Sequence, residues 1–519
     1  MYLFVLYFLL FTGSTKCEHL LVVPFDGSHW ISTRPLIERL GQKGHNITVL
    51  MPEANLRMEE SQHYTSRLFP VPFSKMDLDM IQKSLSSSIF SQQPLTEKIM
   101  QKLERFWNIS RIMLSTCESL LFNRSLIQYL KREGFHAVLV DPLQPCGAIV
   151  AEYLSVPAVN VLYGIPCGLD VWATQCPNPP SYVPSLMTTY SDYMTFSQRL
   201  KNLLVRTVEV IFCNVLYSPY SKLATEFLGQ DVTILEVLSH ASVWLMKFDF
   251  LLQFPRPLMP NMILIGGINC NQPKTISQEF EEYVNKSGDH GIVVFSLGSM
   301  VSELPMEVTM QFADAFGKIP QTVLWRYTGP EPPNLSENTK LVKWLPQNDL
   351  LAHSKTRVFI THGGTHGLYE AICSGVPMIM MPLFGDQASN VKRMERHGVG
   401  VILNLPDLTS QKLLEALETV INDTRYKERM TELSAIHKDR PIEPLDLAVH
   451  WIEFVMRHKG ADHLRPAAHD LNWIQYHSLD VIAFLAAVTL VTTFIGFKCC
   501  LFCCRKLFCR RHQRKSKSE

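Results

Sequence analysis

Val358-Phe-Ile-Thr361-His-Gly-Gly-Thr365-His-Gly-Leu-Tyr-Glu370-Ala-Ile-Cys-Ser374 turns from a short apolar run into a segment of helical spacing across a glycine pair. Four β-branched or aromatic residues read as a buried strand, and the glycines supply the turn from which a helix starts at Thr365. Strand entering helix in this way is half of a βαβ unit. The neighbours repeat the pattern. Upstream come strand Ile292 to Ser296, helix Met306 to Gly317, strand Thr322 to Tyr327 and strand Leu341 to Trp344. Downstream come strand Met378 to Met381, strand Val399 to Asn404 and a helix from Ser410. The alternation predicts a doubly wound α/β domain.

Moving outward, the amino-terminal half reads the same way. Leu20 to Phe25 is a continuous apolar strand, the loop Asp26-Gly-Ser-His29 follows, a helical stretch runs to about Gly41, and Ile47 to Met51 is a second strand. Ala137 to Val140 is another, ending in Asp141, with a helix from Cys146 to Leu154 and a strand from Val156 to Leu162 after it. Between about Asp170 and Pro260 the pattern is irregular and yields no strand-by-strand assignment. Gly266, Gly267 and the polar run Asn269 to Lys274 mark a linker. A chain of 519 residues is too long for one core. The expected architecture is α/β: two Rossmann-like doubly wound domains, 18–268 and 275–445, facing across a cleft, with a further segment at 446–479.

The two ends read as targeting and anchoring. Residues 1–17 form an apolar run closed by small residues, the pattern of a secretory signal peptide. Residues 480–497 are mostly apolar and long enough to cross a bilayer, and the tail 498–519 carries Lys498, Arg505, Lys506, Arg510, Arg511, Arg514, Lys515 and Lys517. The basic side belongs in the cytosol, which makes a single-pass type I protein with its domains in the lumen. Lys515 and Lys517 resemble a dilysine retrieval signal of the endoplasmic reticulum membrane. Sequons at Asn46, Asn108, Asn123, Asn285, Asn334 and Asn422 all fall on the lumenal side. Net charge is +1, which supplies no basic field for nucleic acid. Cys499, Cys500, Cys503, Cys504 and Cys509 crowd the membrane exit, where S-acylation is plausible. The seven cysteines from Cys117 to Cys373 have neither CxxC pairing nor His-rich spacing, so neither a disulfide framework nor a zinc site is expected.

Open parallel sheets bind ligands beyond the carboxyl ends of their strands, and the chemically capable residues gather there. Trp344-Leu-Pro-Gln347 ends a strand, the glycine turn opens a helix with Glu370 one turn in, and Pro382-Leu-Phe-Gly-Asp386-Gln387 follows the next strand. A nucleotide needs an aromatic face for its base, partners for its ribose, and helix amino-terminal amides for its diphosphate.

The stretch Trp344 to Gln387, with His-Lys-Asp-Arg-Pro from His437 to Pro441 and the carboxyl-terminal anchor, resembles the UDP-glycosyltransferases, and within them the vertebrate UDP-glucuronosyltransferases of family 1. The resemblance covers nearly the whole chain and implies a GT-B fold. It implies that Trp344 stacks on uracil and Gln347 holds the nucleoside, while His362 and nearby amides, with Ser299, hold the diphosphate. Glu370 binds the ribose hydroxyls, Asp386 and Gln387 meet the transferred sugar, and Gly367 belongs to the same turn. Position 366, His here, is Asn in other subfamilies, so His366 is carried over with less warrant. The resemblance also makes His29 and Asp141 a catalytic pair: the imidazole takes the acceptor proton, and the carboxylate fixes its tautomer and stabilises its cation. Direct displacement inverts the α-linked donor to a β-glycoside.

The implied reaction moves glucuronic acid from UDP-glucuronate, a co-substrate, onto small lipophilic acceptors such as phenols, steroids, bilirubin-like compounds or xenobiotics. No cofactor and no metal are expected, since no DxD stands in a cleft-facing loop, and turnover is expected to survive a chelator. Homo- or hetero-oligomers follow from the family likeness alone. UDP-glucose or UDP-xylose as donor, or a catalytically silent lumenal subunit, remain open. A dinucleotide-dependent oxidoreductase fits the sheet pattern, but the glycine fingerprint after the first strand is missing.

Overall fold

The computed structural model describes residues 17–89, 94–163, 166–185, 187–270 and 273–515. The signal segment as far as residue 16, residues 271 and 272 of the polar linker, and Lys517 lie outside them. The chain forms two compact units that divide after Leu464.

The larger unit contains two wholly parallel sheets. The first has β1 (His19–Val23), β2 (Asn46–Pro52), β3 (Thr65–Phe69), β4 (Ala137–Val140), β5 (Ala158–Leu162), β6 (Val243–Met246) and β7 (Met262–Leu264), in the order β3-β2-β1-β4-β5-β6-β7. The second has β8 (Ile292–Ser296), β9 (Thr322–Arg326), β10 (Thr339–Val342), β11 (Thr356–Thr361), β12 (Met378–Met380) and β13 (Gly400–Ile402), in the order β10-β9-β8-β11-β12-β13. The winding reverses between β1 and β4 in one sheet and between β8 and β11 in the other. Every residue of β1, β4, β5, β6, β8 and β9 is buried, because helices cover both faces, which is why these strands read as mainly apolar runs.

Alternate residues of β1 feed opposite cores. Leu21 and Val23 pack with Val138, Val140 and the helix Cys146–Leu154, whereas Leu20 and Val22 pack with Leu36 and Leu40 of the helix Ser28–Gln42. That second core is completed from far along the chain. The helix Pro444–His458 returns from the second half and lays Ala448, Val449, Ile452, Val455 and Met456 against the first sheet.

The residues after Lys247 hold the halves together. The Asp249 carboxylate accepts from the Tyr369 hydroxyl at 2.9 Å and from His437 Nδ1 at 2.9 Å, and pairs with Arg440. Burial works against the Asp249 charge, but His437 and Arg440 hold its carboxyl below the usual range. Arg440 also donates to the Gly266 carbonyl at 2.9 Å. Gly267, at φ +85°, approaches the His437 ring so closely that a Cβ there collides with Nε2.

Several expectations are corrected. The unassigned region contains β6 and a helix of 33 residues, Phe196–Leu228. β3, β7 and the helices Lys75–Ile89 and Leu95–Leu121 are further additions. The strand expected to end at Trp344 stops at Val342. Against the expectation of no disulfide framework, Cys117–Cys146, Cys167–Cys213 and Cys270–Cys373 are bonded, across separations of 29, 46 and 103 residues. Pairs formed by distant segments leave no spacing signal.

In the smaller unit, Leu479–Leu507 within the helix Leu479–Lys515 is long and apolar enough to cross a membrane by length and composition.

Candidate functional site

Both reversals of winding create crevices at the carboxyl ends of central strands, and the polar residues predicted from sequence stand in them. In the first sheet Val23 is in register with Val140, so the chain beyond β1 and the residue after β4 emerge side by side. His29 Nδ1 therefore reaches Asp141 Oδ2 at 2.6 Å. Asp141 is buried, which disfavours its charge, yet His29 and Lys247 hold its carboxyl below the ordinary range, and the Leu143 amide adds a hydrogen bond. With Nδ1 turned to Asp141, Nε2 is the nitrogen left to take a proton.

In the second sheet Ser296 is in register with Thr361, so Leu297 to Ser299 and His362 emerge together. The helix Thr365–Ser374 begins at Gly364 without a side-chain cap, leaving its first amides available for an anion. His362 is part-buried on the cavity wall, and burial pushes its pKa down to about 4, with Asp386 opposing the fall. The imidazole at this turn is neutral at ordinary pH. Its Nδ1 has no partner among the described residues.

Around this turn the ribose and sugar candidates brace one another. Glu370 is engaged by Gln347 Nε2 on one oxygen and by His366 Nε2 at 3.3 Å on the other. Asp386 Oδ2 accepts from Asn390 Nδ2 at 2.8 Å and from Thr365 Oγ1 at 3.2 Å. Gln387 uses its carbonyl oxygen on the Leu383 and Phe384 amides, at 2.8 and 3.0 Å, which shapes the loop and leaves its amide nitrogen for other partners. Trp344 is half-exposed with Arg57 and Arg326 over its ring, at 5.2 and 5.1 Å. Arg57 also donates to the Ser299 carbonyl at 3.0 Å.

One cavity of about 780 Å³ is lined by all eleven predicted residues: His29, Asp141, Ser299, Trp344, Gln347, His362, His366, Gly367, Glu370, Asp386 and Gln387. The halves thus face each other with an imidazole–carboxylate pair on one wall and an uncapped helix start on the other.

Sequence reasoning missed Lys247, Tyr163 and Arg326. Lys247 is 1% exposed at the end of β6, donates to Ser32 Oγ at 3.0 Å and to Thr33 Oγ1, and lies 5.0 Å from the centre of the Tyr163 ring. Burial lowers its pKa to about 8, with Asp141 opposing. Tyr163 stands edge-on to the His29 ring at 5.6 Å. A lone lysine after Val243-Trp-Leu-Met246 was the available signal, lost because β6 itself went unassigned. Cys270, Cys373 and His437 form the one close grouping of metal-ligating types among the described residues. The two sulfurs are joined to each other, so neither is a thiolate ligand.

An imidazole–carboxylate pair opposite an uncapped helix start fits a glycosyltransferase that uses a nucleotide-linked sugar. Residues 18–515 match the family described as UDP-glucoronosyl and UDP-glucosyl transferase. The chain is 55% identical over 496 residues to UDP-glucuronosyltransferase 1A1 of Rattus norvegicus, covering 96% of this chain and 93% of the relative. It is 56% identical over 487 residues to the Homo sapiens 1A1 enzyme, covering 94% and 91%. Among solved structures it resembles the calicheamicin glycosyltransferase CalG4 (TM-score 0.56, 18% identity, 85% of this chain and 99% of that one). It also resembles the spinosyn forosaminyltransferase SpnP (TM-score 0.59, 17% identity, 85% and 100%). These last likenesses establish the two-sheet GT-B fold, and the chain belongs to the UDP-glucuronosyl and UDP-glucosyl transferase family.

Proposed function

We propose that this enzyme transfers glucuronic acid from UDP-glucuronate to hydroxyl groups of small lipophilic acceptors, with inversion. The observation that carries the reading is the shared cavity, in which the His29–Asp141 pair opposes the turn from His362 to Glu370. In this mechanism His29 Nε2 takes the acceptor proton while the acceptor oxygen attacks the anomeric carbon. The bond from that carbon to the phosphate oxygen breaks, and its electron pair leaves with UDP. Asp141 stabilises the imidazolium that forms. The uncapped amides at Thr365 and His366 meet the charge gained by the leaving diphosphate. Gln347 and Glu370 hold the nucleoside, Trp344 offers a ring face to uracil, and Asp386 with Gln387 binds the sugar hydroxyls.

Leu143, Leu162, Tyr163 and Met187 line the same cavity and suit an apolar acceptor such as a phenol or steroid. Residues 1–17 act as a signal peptide, 18–268 and 275–445 form the acceptor and donor domains, and the anchor near 480–497 leaves a basic tail in the cytosol. This arrangement suits the endoplasmic reticulum lumen, where cystines persist. Membranes containing the full chain, given UDP-glucuronate, UDP-glucose or UDP-xylose with a mixed phenol and steroid panel, are read by mass spectrometry. Glucuronide should dominate; turnover with UDP-glucose or UDP-xylose equal to or above that with UDP-glucuronate rejects the donor assignment.

A further inference from the structure

A second cavity, of about 130 Å³, shares no lining residue with the first. Three guanidinium groups from separate segments line it: Arg206 of the helix Phe196–Leu228, Arg256 beyond β6, and Arg393 of the helix Gln387–Arg396 in the second half. Among the described residues only one has a carboxylate in direct contact. Arg256 pairs with Asp170 at 2.9 Å. The other lining carboxylate, Glu209, spends its oxygens on the Cys167 amide at 3.1 Å and the Ser185 hydroxyl at 2.9 Å. Arg206 donates to the Asn178 carbonyl and side-chain oxygens and to the Val183 carbonyl, all uncharged. Arg393 is 6% exposed, has only the Asn390 side-chain oxygen at 3.0 Å, and keeps an enclosed Nε without a partner among the described residues.

Burying a cation without a carboxylate in contact costs several kcal/mol, so the enclosed Arg393, with the part-buried Arg206 lining the same cavity, calls for an anion. The charges sense one another. Burial lowers the pKa of Arg206 and takes that of Arg393 down to about 10, and in both Arg256 adds to the fall, while Glu209 and Asp386 respectively oppose it. The Phe254 ring, 5.5 Å from Arg393, closes one side.

We propose that this cavity binds a small oxyanion of the phosphate class, gripped by Arg206 and Arg393 across the two halves of the enzyme. Planar guanidinium forks match phosphate oxygens two at a time, and a guest held by both arginines ties the helix Phe196–Leu228 to the helix Gln387–Arg396. Arg393 is joined to Asn390, and Asn390 to Asp386 at 2.8 Å, so occupancy lies two hydrogen bonds from the donor cavity. The site does not rest on the activity proposed above.

The test is calorimetric titration of inorganic phosphate into the full chain in phosphatidylcholine nanodiscs, with UDP saturating to keep phosphate out of the donor cavity. UDP is titrated first in the same calorimeter, so failure of the donor reading is seen separately. Single-site phosphate binding is expected, weakened about tenfold or more in Arg206→Gln and in Arg393→Gln and unchanged in the exposed Arg425→Gln. Repeating it with phosphatidic acid in the nanodisc identifies the source: lost phosphate heat assigns the oxyanion to a lipid headgroup, and unchanged heat assigns it to a free ion. Absence of saturable phosphate heat in the native chain, or native affinity in Arg206→Gln, overturns the site; the latter variant decides the matter if Arg393→Gln does not fold.

Discussion

At the scale of single residues, two imidazoles do opposite work because of where they are enclosed. His29 has a buried carboxylate on Nδ1, and its replacement by Ala should lower turnover about 100-fold or more while UDP binding, measured by calorimetry, stays near native. Near-native turnover in that variant removes His29 from the mechanism. His362 is held uncharged by burial, with a pKa of about 4 against about 6.5 when unfolded. Between those values the unfolded chain binds the proton and the folded one does not. Stability is therefore lost as pH falls from 6.5 to 4, by about 3 kcal/mol for this one group. Denaturant titrations across that range should show a shallower acid loss in His362→Gln; identical slopes in both chains refute the assignment. His29 and Asp141 were legible in sequence as residues just beyond strands of one sheet. Lys247 was not, since a lysine's burial is decided by what packs around it.

Elements that follow a repeating pattern were legible, and those that depend on distant partners were not. β8, β11 and the helix Thr365–Ser374 read directly because the stretches 292–295 and 358–360 are continuously apolar and a glycine marks the turn. β6, four residues long, offers no period that separates it from a helical segment, and β3 is largely unburied. Cystine pairing depends on contacts between elements and was misjudged for that reason. The linker was recognised by its glycines, but not the contact that demands them. Because a Cβ on Gly267 collides with His437 and its φ of +85° suits only glycine, Gly267→Ala should cost about 2 kcal/mol or more. Thermal unfolding reads this, and an unchanged midpoint shows that the linker is not anchored on His437.

At the scale of the molecule, the division after Leu464 predicts where the chain can be shortened. Ending it at residue 464 should leave a folded, UDP-binding unit. Ending it at 443 removes five buried residues of the helix Pro444–His458 from the second of the two cores beside β1. At roughly 1.5–3 kcal/mol for each of the four large side chains, that loss is about 6–12 kcal/mol, comparable with the whole stability of a domain. Limited proteolysis of the two truncations separates them, and equal resistance counts against the returning helix as part of that core.

Since the polypeptide crosses from one half to the other near Gly266 and comes back just beyond Arg440, two covalent tethers join the sheets. The guanidinium of the second tether grasps the carbonyl of the first, so both run through the same spot. Any rotation of one half against the other about that spot would therefore displace Asp249 and Tyr369 least, and the mouth of the cleft most.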